Sequence, residues 1–247
     1  MSGDGVGTPI GAGRVAEVFL HPAGVLKLYR PSAPKASAFR EAAILAQIGA
    51  LGLPVPEVIS AGPYKDRWGI VMTRASGNSF ARMLEDDPAI APSLATAMAR
   101  LHRRLHAAGA TRLPGLKTVL AANIRKAAAL DDRRRRGALD RLATLPDGDR
   151  LCHGDFHPFN VLGSVRKPTV IDWLDASRGA PSADVCRSFV LMHPYDAGFA
   201  HAYVRSYAAF GVPSVPEIMA WLPCVAAARL AEGVAEIDAL MAMVESG

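Results

Sequence analysis

Apolar and polar residues first alternate along the chain and then recur at helical spacing. Val15–Leu20 and Gly24–Tyr29 are short apolar-rich runs, and His21-Pro22-Ala23-Gly24 between them reads as a hairpin link. The preceding Thr8–Gly13 segment is a turn cluster. Ser37–Leu51 is Ala-rich and places Phe39, Ala42, Ala43, Ala46, Ile48 and Leu51 on a helical pattern. The Pro54-Val-Pro-Glu-Val58 segment cannot extend that helix, because proline removes backbone donors. Val58–Ala61 and Trp68–Thr73 predict two more strands. Residues 1–75 therefore read as a small antiparallel sheet with one helix.

Arg74–Asn78 shifts to small polar residues and reads as a connection between lobes. From Ser79 onward the pattern is mostly helical. Leu94, Met98, Leu101 and Leu105 mark a helix over Leu94–Ala107, and Thr118–Leu130 and Arg133–Leu145 predict two more. Arg150–Asp172 interrupts with short apolar pieces and a turn at Gly163–Pro168. Helices return after Asp184, up to a last long one at Cys224–Met243. The expected fold is α+β in two lobes, residues 1–75 and 76–247.

Composition narrows the class. Half of the 247 residues are hydrophobic and 21% are charged, as in a folded soluble domain rather than a disordered chain. A chain of this length can bury roughly 70–75% of its unfolded surface, so its core needs no disulfide or structural metal. Cys152, Cys186 and Cys224 are odd in number and widely spaced, which suits a reducing cytoplasm and no cysteine metal site. The N-terminus has no apolar core of a signal peptide, and no stretch approaches the ~18 apolar residues of a membrane span.

The net charge of +5 alone points to an anionic partner. Its distribution changes that reading. Residues 184–247 carry seven acids and three bases, a net −4, so residues 1–183 carry +9. The four-arginine run Arg133–Arg136 lacks interleaved aromatics and reads as a solvated helix face, with no nucleic-acid role expected.

The segment Leu151-Cys-His-Gly-Asp155-Phe-His-Pro-Phe-Asn160-Val-Leu162, followed by Thr169-Val-Ile-Asp172-Trp173, carries the chemistry. If 161–163 and 169–172 form a hairpin, Asn160 and Asp172 lie at the same end of it. An amide oxygen and a carboxylate suit a hard cation such as Mg²⁺. Asp155 is left to orient a hydroxyl and accept its proton, which completes the parts needed for phosphoryl transfer.

This string resembles the catalytic segment of the aminoglycoside phosphotransferase family, which is related to choline, fructosamine and protein kinases. It is similar to the kinase H-R-D-x-x-x-x-N and D-F-G pair, with Gly154 in the arginine's place and Asp172-Trp173-Leu174 for D-F-G. The resemblance implies Asp155 as catalytic base and Asn160 and Asp172 as Mg²⁺ ligands. Gly11-Ala-Gly13-Arg-Val-Ala16-Glu-Val18 resembles the kinase glycine-rich loop, with Ala16 for its third glycine. Lys27, alone in an apolar strand, matches the phosphate-binding lysine, and Glu41 its helix partner. Met72 and Thr73 stand where the family presents backbone groups to the nucleotide base. Asp184 matches an aspartate that supports the catalytic loop. Phe159 and Ala180 depart from the family, which often has glycine and aspartate there.

The resemblance implies a two-lobed protein-kinase-like fold that moves the γ-phosphoryl of ATP or GTP to a hydroxyl of a small molecule. An aminoglycoside-type antibiotic is the leading acceptor. A metabolic kinase for a small alcohol, amino alcohol or sugar, and a nucleotide-binding protein without turnover, are the alternatives. Glu232 and Glu236, four apart on the expected last helix, share a face, with Asp238 near. With Asp175 they are candidates for an acidic acceptor pocket. His102 and His106 are expected on a helix surface or at a packing contact, and His153 as a support of the loop. A cytoplasmic monomer or homodimer, without membrane partners, is expected.

Overall fold

Strand β3 shows how the sequence builds the first half of the molecule. In Gly24-Val-Leu-Lys-Leu-Tyr29, alternation sends Leu26 and Leu28 to one face of the sheet and Val25, Lys27 and Tyr29 to the other. Leu26 and Leu28 cluster with Phe19 and Val71. The opposite face meets a helix, so a lysine on it is buried and needs partners. This is the computed structural model of the chain, and it describes residues 7–110 and 112–246.

The strands β1 (Gly11–Ala12), β2 (Ala16–His21), β3 (Gly24–Tyr29), β4 (Val58–Tyr64) and β5 (Arg67–Met72) form an antiparallel sheet in the order β1-β2-β3-β5-β4. Helix α1 (Lys35–Gly49) packs on β4 and β5. Its buried stripe is Ala38, Glu41, Ile44, Leu45 and Ile48. This corrects the expected stripe: Phe39 and Leu51 are exposed, and Phe39 stands 5.5 Å from the Trp68 ring. Alanine on every side of the helix leaves its apolar face ambiguous in the sequence, whereas the sheet selects one face. The expected turn cluster also changes, since Gly11 and Ala12 pair with Val18 and Glu17 as a short strand.

The chain divides into two compact units, 1–78 with 161–174, and 79–160 with 175–247. The second begins with α2 (Phe80–Asp86), α3 (Ala91–His106), α4 (Leu116–Lys126), α5 (Asp132–Thr144) and strand β6 (Arg150–Cys152). Strands β7 (Val161–Ser164) and β8 (Lys167–Val170) belong to the first unit and form the expected hairpin, with Val161 opposite Val170. Strand β9 (Ser177–Gly179) pairs with β6. Helices α6 (Pro181–Met192), α7 (Ala197–Ala208), α8 (Val215–Met219), α9 (Leu222–Arg229) and α10 (Ile237–Glu245) complete the second unit.

The expected long helix Cys224–Met243 is broken. After α9 a 3-10 turn over Leu230–Glu232 ends at Gly233, which takes a left-handed φ of 66°. That conformation stops a helix and favours glycine. No helix among the described residues is long and apolar enough to cross a membrane.

Candidate active site

Within the first unit, Lys27 Nζ lies 2.8 Å from Glu41 Oε1 and 2.8 Å from Asp172 Oδ1. Tyr29 Oη donates to the other Glu41 oxygen. Burial alone would lower the Lys27 pKa, but the two carboxylates overcome it and hold the ammonium above its ordinary value. Asp172 takes a φ of 63°, unusual for a non-glycine residue and tolerated by aspartate. The next amide, Trp173 N–H, donates to Glu41 Oε1 at 3.4 Å. Glu41 thus organises both Lys27 and the turn that carries Asp172.

Gly11 and Gly13 are exposed and have ordinary backbone angles. A Cβ would meet only Val18 Cβ at 3.9 Å from Gly11 and Ala16 O at 3.7 Å from Gly13. The fold itself therefore does not require glycine at either position. Met72 closes β5, and the Thr73 N–H donates to Glu57 O at 2.9 Å while its hydroxyl accepts from Glu57 N. The Thr73 amide is therefore committed to its own chain.

In the second unit the catalytic-type loop follows β6. Gly154 has φ 81°, and a Cβ there would lie 2.5 Å from Asp175 O. Glycine is needed both for the turn and for this close approach. Asp184, fully buried in the first turn of α6, accepts from His153 N at 2.6 Å and Gly154 N at 2.9 Å. Asp155 N donates in turn to His153 Nδ1 at 3.1 Å. Asn160 Nδ2 donates to Asp155 O and to Asp155 Oδ2, both at 2.9 Å. That arrangement fixes the Asp155 carboxylate and turns the amide oxygen of Asn160 to other use. His157 Nε2 lies 3.4 Å from Asp155 Oδ2. Burial alone would raise the Asp155 pKa, but His157 beside it, with Arg187 behind, holds it well below the usual carboxylate range.

His102 and His106 are not surface residues. Both are buried on α3, and both Nε2 atoms face Asp184 Oδ2, at 2.9 and 3.2 Å. Their Nδ1 atoms meet the hydroxyls of Tyr203 and Tyr207 on α7. The three side chains are close enough together to hold a metal ion. Hydrogen bonding nevertheless engages every ring nitrogen, so the set is a closed polar network supporting the loop. Burial, with His106 adding to it, pushes His102 down to about 3. Burial opposes ionisation of Asp184, but the His102 and His106 rings hold it well below the ordinary value.

Glu232 and Glu236 do not share a helix face as expected, because they lie on opposite sides of the break at Gly233, but both carboxylates converge on Arg229. Glu232 pairs with Arg187 at 2.7 Å and Arg229 at 3.0 Å, and Glu236 accepts from Arg229 Nε at 3.1 Å. Asp175 contributes, behind Glu232 and Asp155, to the field that raises the Arg187 pKa against burial. Arg187 is the residue that sequence reasoning missed: its Nε donates to Gly154 O at 3.1 Å. A lone arginine three residues after Asp184, in a helix with no other basic residue, was the available signal.

The sequence matches the phosphotransferase enzyme family over residues 6–222. The chain belongs to that family. As a phosphotransferase it shares its fold with solved structures of low sequence identity. One is a thermostable mutant of aminoglycoside phosphotransferase APH(4)-Ia in complex with ADP and hygromycin B, at 18% identity and TM-score 0.74, covering 97% of this chain and 93% of that one. Another is aminoglycoside-3'-phosphotransferase of type VIII, at 23% identity and TM-score 0.63, covering 91% and 90%. A third is a choline/ethanolamine kinase family protein from Mesorhizobium loti, at 18% identity and TM-score 0.63, covering 98% and 86%. No curated protein sequence matches the chain. The kinase-like α+β fold expected from the sequence is the fold of this phosphotransferase.

Proposed function

We propose that this phosphotransferase moves the γ-phosphoryl group of ATP or GTP to a hydroxyl of a small molecule. Asp155 carries the reading. Its carboxylate is ionised at neutral pH, held by Asn160 on a loop fixed by Asp184, and borders a cavity of about 640 Å³. A carboxylate with so low a pKa is a weak base but a good orienting acceptor. That suits phosphoryl transfer, whose loose transition state asks more for positioning and charge than for early proton removal.

In this reading Lys27 is the cation for the nucleotide phosphates, and Glu41 holds it in place. Gly11 and Gly13 let the backbone come close to phosphate, and the Met72–Thr73 segment borders the base. Asn160 and Asp172 would hold Mg²⁺. The fit is chemical: an amide oxygen not engaged by Asp155 and a carboxylate make an all-oxygen set. When bound, Mg²⁺ supplies charge neutralisation on the phosphates.

The aminoglycoside acceptor is supported by the fold neighbours crystallised with such compounds. A metabolic small-molecule acceptor is supported by the commitment of Glu232 and Glu236 to arginines. ADP release measured with ATP, Mg²⁺ and a panel of both acceptor classes tests the reading. Asp155→Asn should lower the rate about 10²- to 10⁴-fold; a variant of full activity refutes the assignment.

A further inference from the structure

The cavity bordered by Asp155 is lined by the second unit alone. Leu84, Phe159, Leu191, Met192, Tyr195 and Phe199 stand among its lining residues. Phe159 and Tyr195 are 58% and 78% exposed, so two aromatic side chains stand at the cavity largely uncovered by protein. The other acids of the lining each have a partner within the protein, though both stay charged. Asp196 caps α7 by accepting from Phe199 N at 2.8 Å, and Glu85 pairs with Arg82 at 3.3 Å. The one arginine of the lining, Arg229, is paired with Glu232 and Glu236.

These observations bear on the acceptor, given the phosphotransfer reading above. A polycation brought out of water needs a carboxylate for each ammonium, because an unpaired desolvated charge is strongly unfavourable. Besides Glu85, Asp155 and Asp196 the wall is mainly apolar and aromatic surface, which favours a ligand that brings apolar area to it. The volume suits a one- or two-ring compound.

We propose that the acceptor is an uncharged or singly charged hydroxyl compound with an apolar or aromatic body. Its hydroxyl meets Asp155 and its body lies on the Phe159, Leu191 and Tyr195 wall. In the transfer the acceptor oxygen forms the new bond to the γ-phosphorus of the nucleoside triphosphate. The bond from that phosphorus to the β,γ-bridging oxygen breaks, its electron pair leaves with the nucleoside diphosphate, and the hydroxyl proton passes to Asp155 and then to water.

Calorimetric titration of the full chain with ADP and Mg²⁺ present tests this, using phenyl β-glucoside, glucose and kanamycin as probes. The phenyl compound should bind at least about tenfold more tightly than glucose, and kanamycin no more tightly than glucose. Tyr195→Ala, at a position too exposed to endanger folding, should reduce the phenyl advantage several-fold. Equal binding of glucose and phenyl β-glucoside, including no binding of either, overturns the proposal, as does tighter binding of kanamycin. Nucleotide turnover separates the two claims. Kanamycin-dependent ADP release abolished by Asp155→Asn overturns the acceptor class and keeps phosphotransfer. A phenyl advantage without ADP release for any acceptor overturns phosphotransfer and keeps the apolar site.

Discussion

His102 makes the stability of the second unit depend on pH in a way that can be calculated. Its ring is fully buried against His106, Asp184, Phe156 and Tyr203, with His153 close by, and its pKa is pushed down to about 3 from 6.5. The unfolded chain takes up a proton near pH 6.5, while the folded chain resists it until about pH 3. Stability from this group is complete above pH 6.5 and is lost as pH falls through that window. Between pH 7 and 4.5 the loss amounts to about 2–3 kcal/mol, within a total of about 5–15 kcal/mol for a typical domain. Urea unfolding followed by tryptophan fluorescence measures it, since Trp221, 1% exposed, reports on the same unit. His102→Gln retains an amide donor and removes the titration. The variant should start less stable at pH 7 but lose about 2–3 kcal/mol less than the native chain on going to pH 4.5. Equal losses in the two proteins would show that His102 is not a neutral ring held against protonation.

Other expectations follow from the same contacts. Asp184→Ala strands two loop amides and two imidazole groups in the interior and should cost about 3–5 kcal/mol in chemical denaturation; an unchanged midpoint contradicts the network. Gly154→Ala forces a Cβ to 2.5 Å from Asp175 O at φ 81°, and should cost at least ~1–3 kcal/mol and lower kcat by displacing Asp155; native kcat and stability together refute the steric argument. Lys27→Met leaves Glu41 and Asp172 without their shared cation and should reduce kcat/KM for ATP by about 10²- to 10³-fold; native steady-state kinetics would remove Lys27 from the phosphate site.

Several features were legible because a residue stood out against its local pattern. Lys27 interrupts an apolar strand, and a buried ammonium requires carboxylates, which the structure supplies as Glu41 and Asp172. The string from Leu151 to Asn160 combined a turn glycine with chemistry-bearing residues, and the hairpin after it formed as expected. The phase of α1 was hidden because alanine satisfies any face of a helix. The role of His102 was hidden for another reason. Periodicity placed it beside Leu101 and Leu105, but its partner Asp184 lies 82 residues away, and only packing brings them together.

The acidic C-terminal segment shows why net charge alone does not choose the acceptor. Its acids each have a structural use. Asp184 holds the loop, and Asp196 caps α7. Glu217 completes a capping box with Ser214, and Glu245 accepts from Arg134 Nε at 3.2 Å. Glu232 and Glu236 face Arg187 and Arg229, and Asp238 stands in the first turn of α10, where the helix dipole favours it. A segment carrying −4 can attract a cation at long range, yet Coulomb steering falls away within about 8–10 Å in physiological salt. What selects a ligand at contact is the set of groups still able to accept a hydrogen bond. Around Asp155 the lining is largely apolar, with Glu85, His157, Asp196 and Arg229 as its other charged or polar side chains. The break at Gly233 takes Glu232 and Glu236 off a shared helix face, and their carboxylates converge instead on the Arg229 guanidinium, which already serves as their cation.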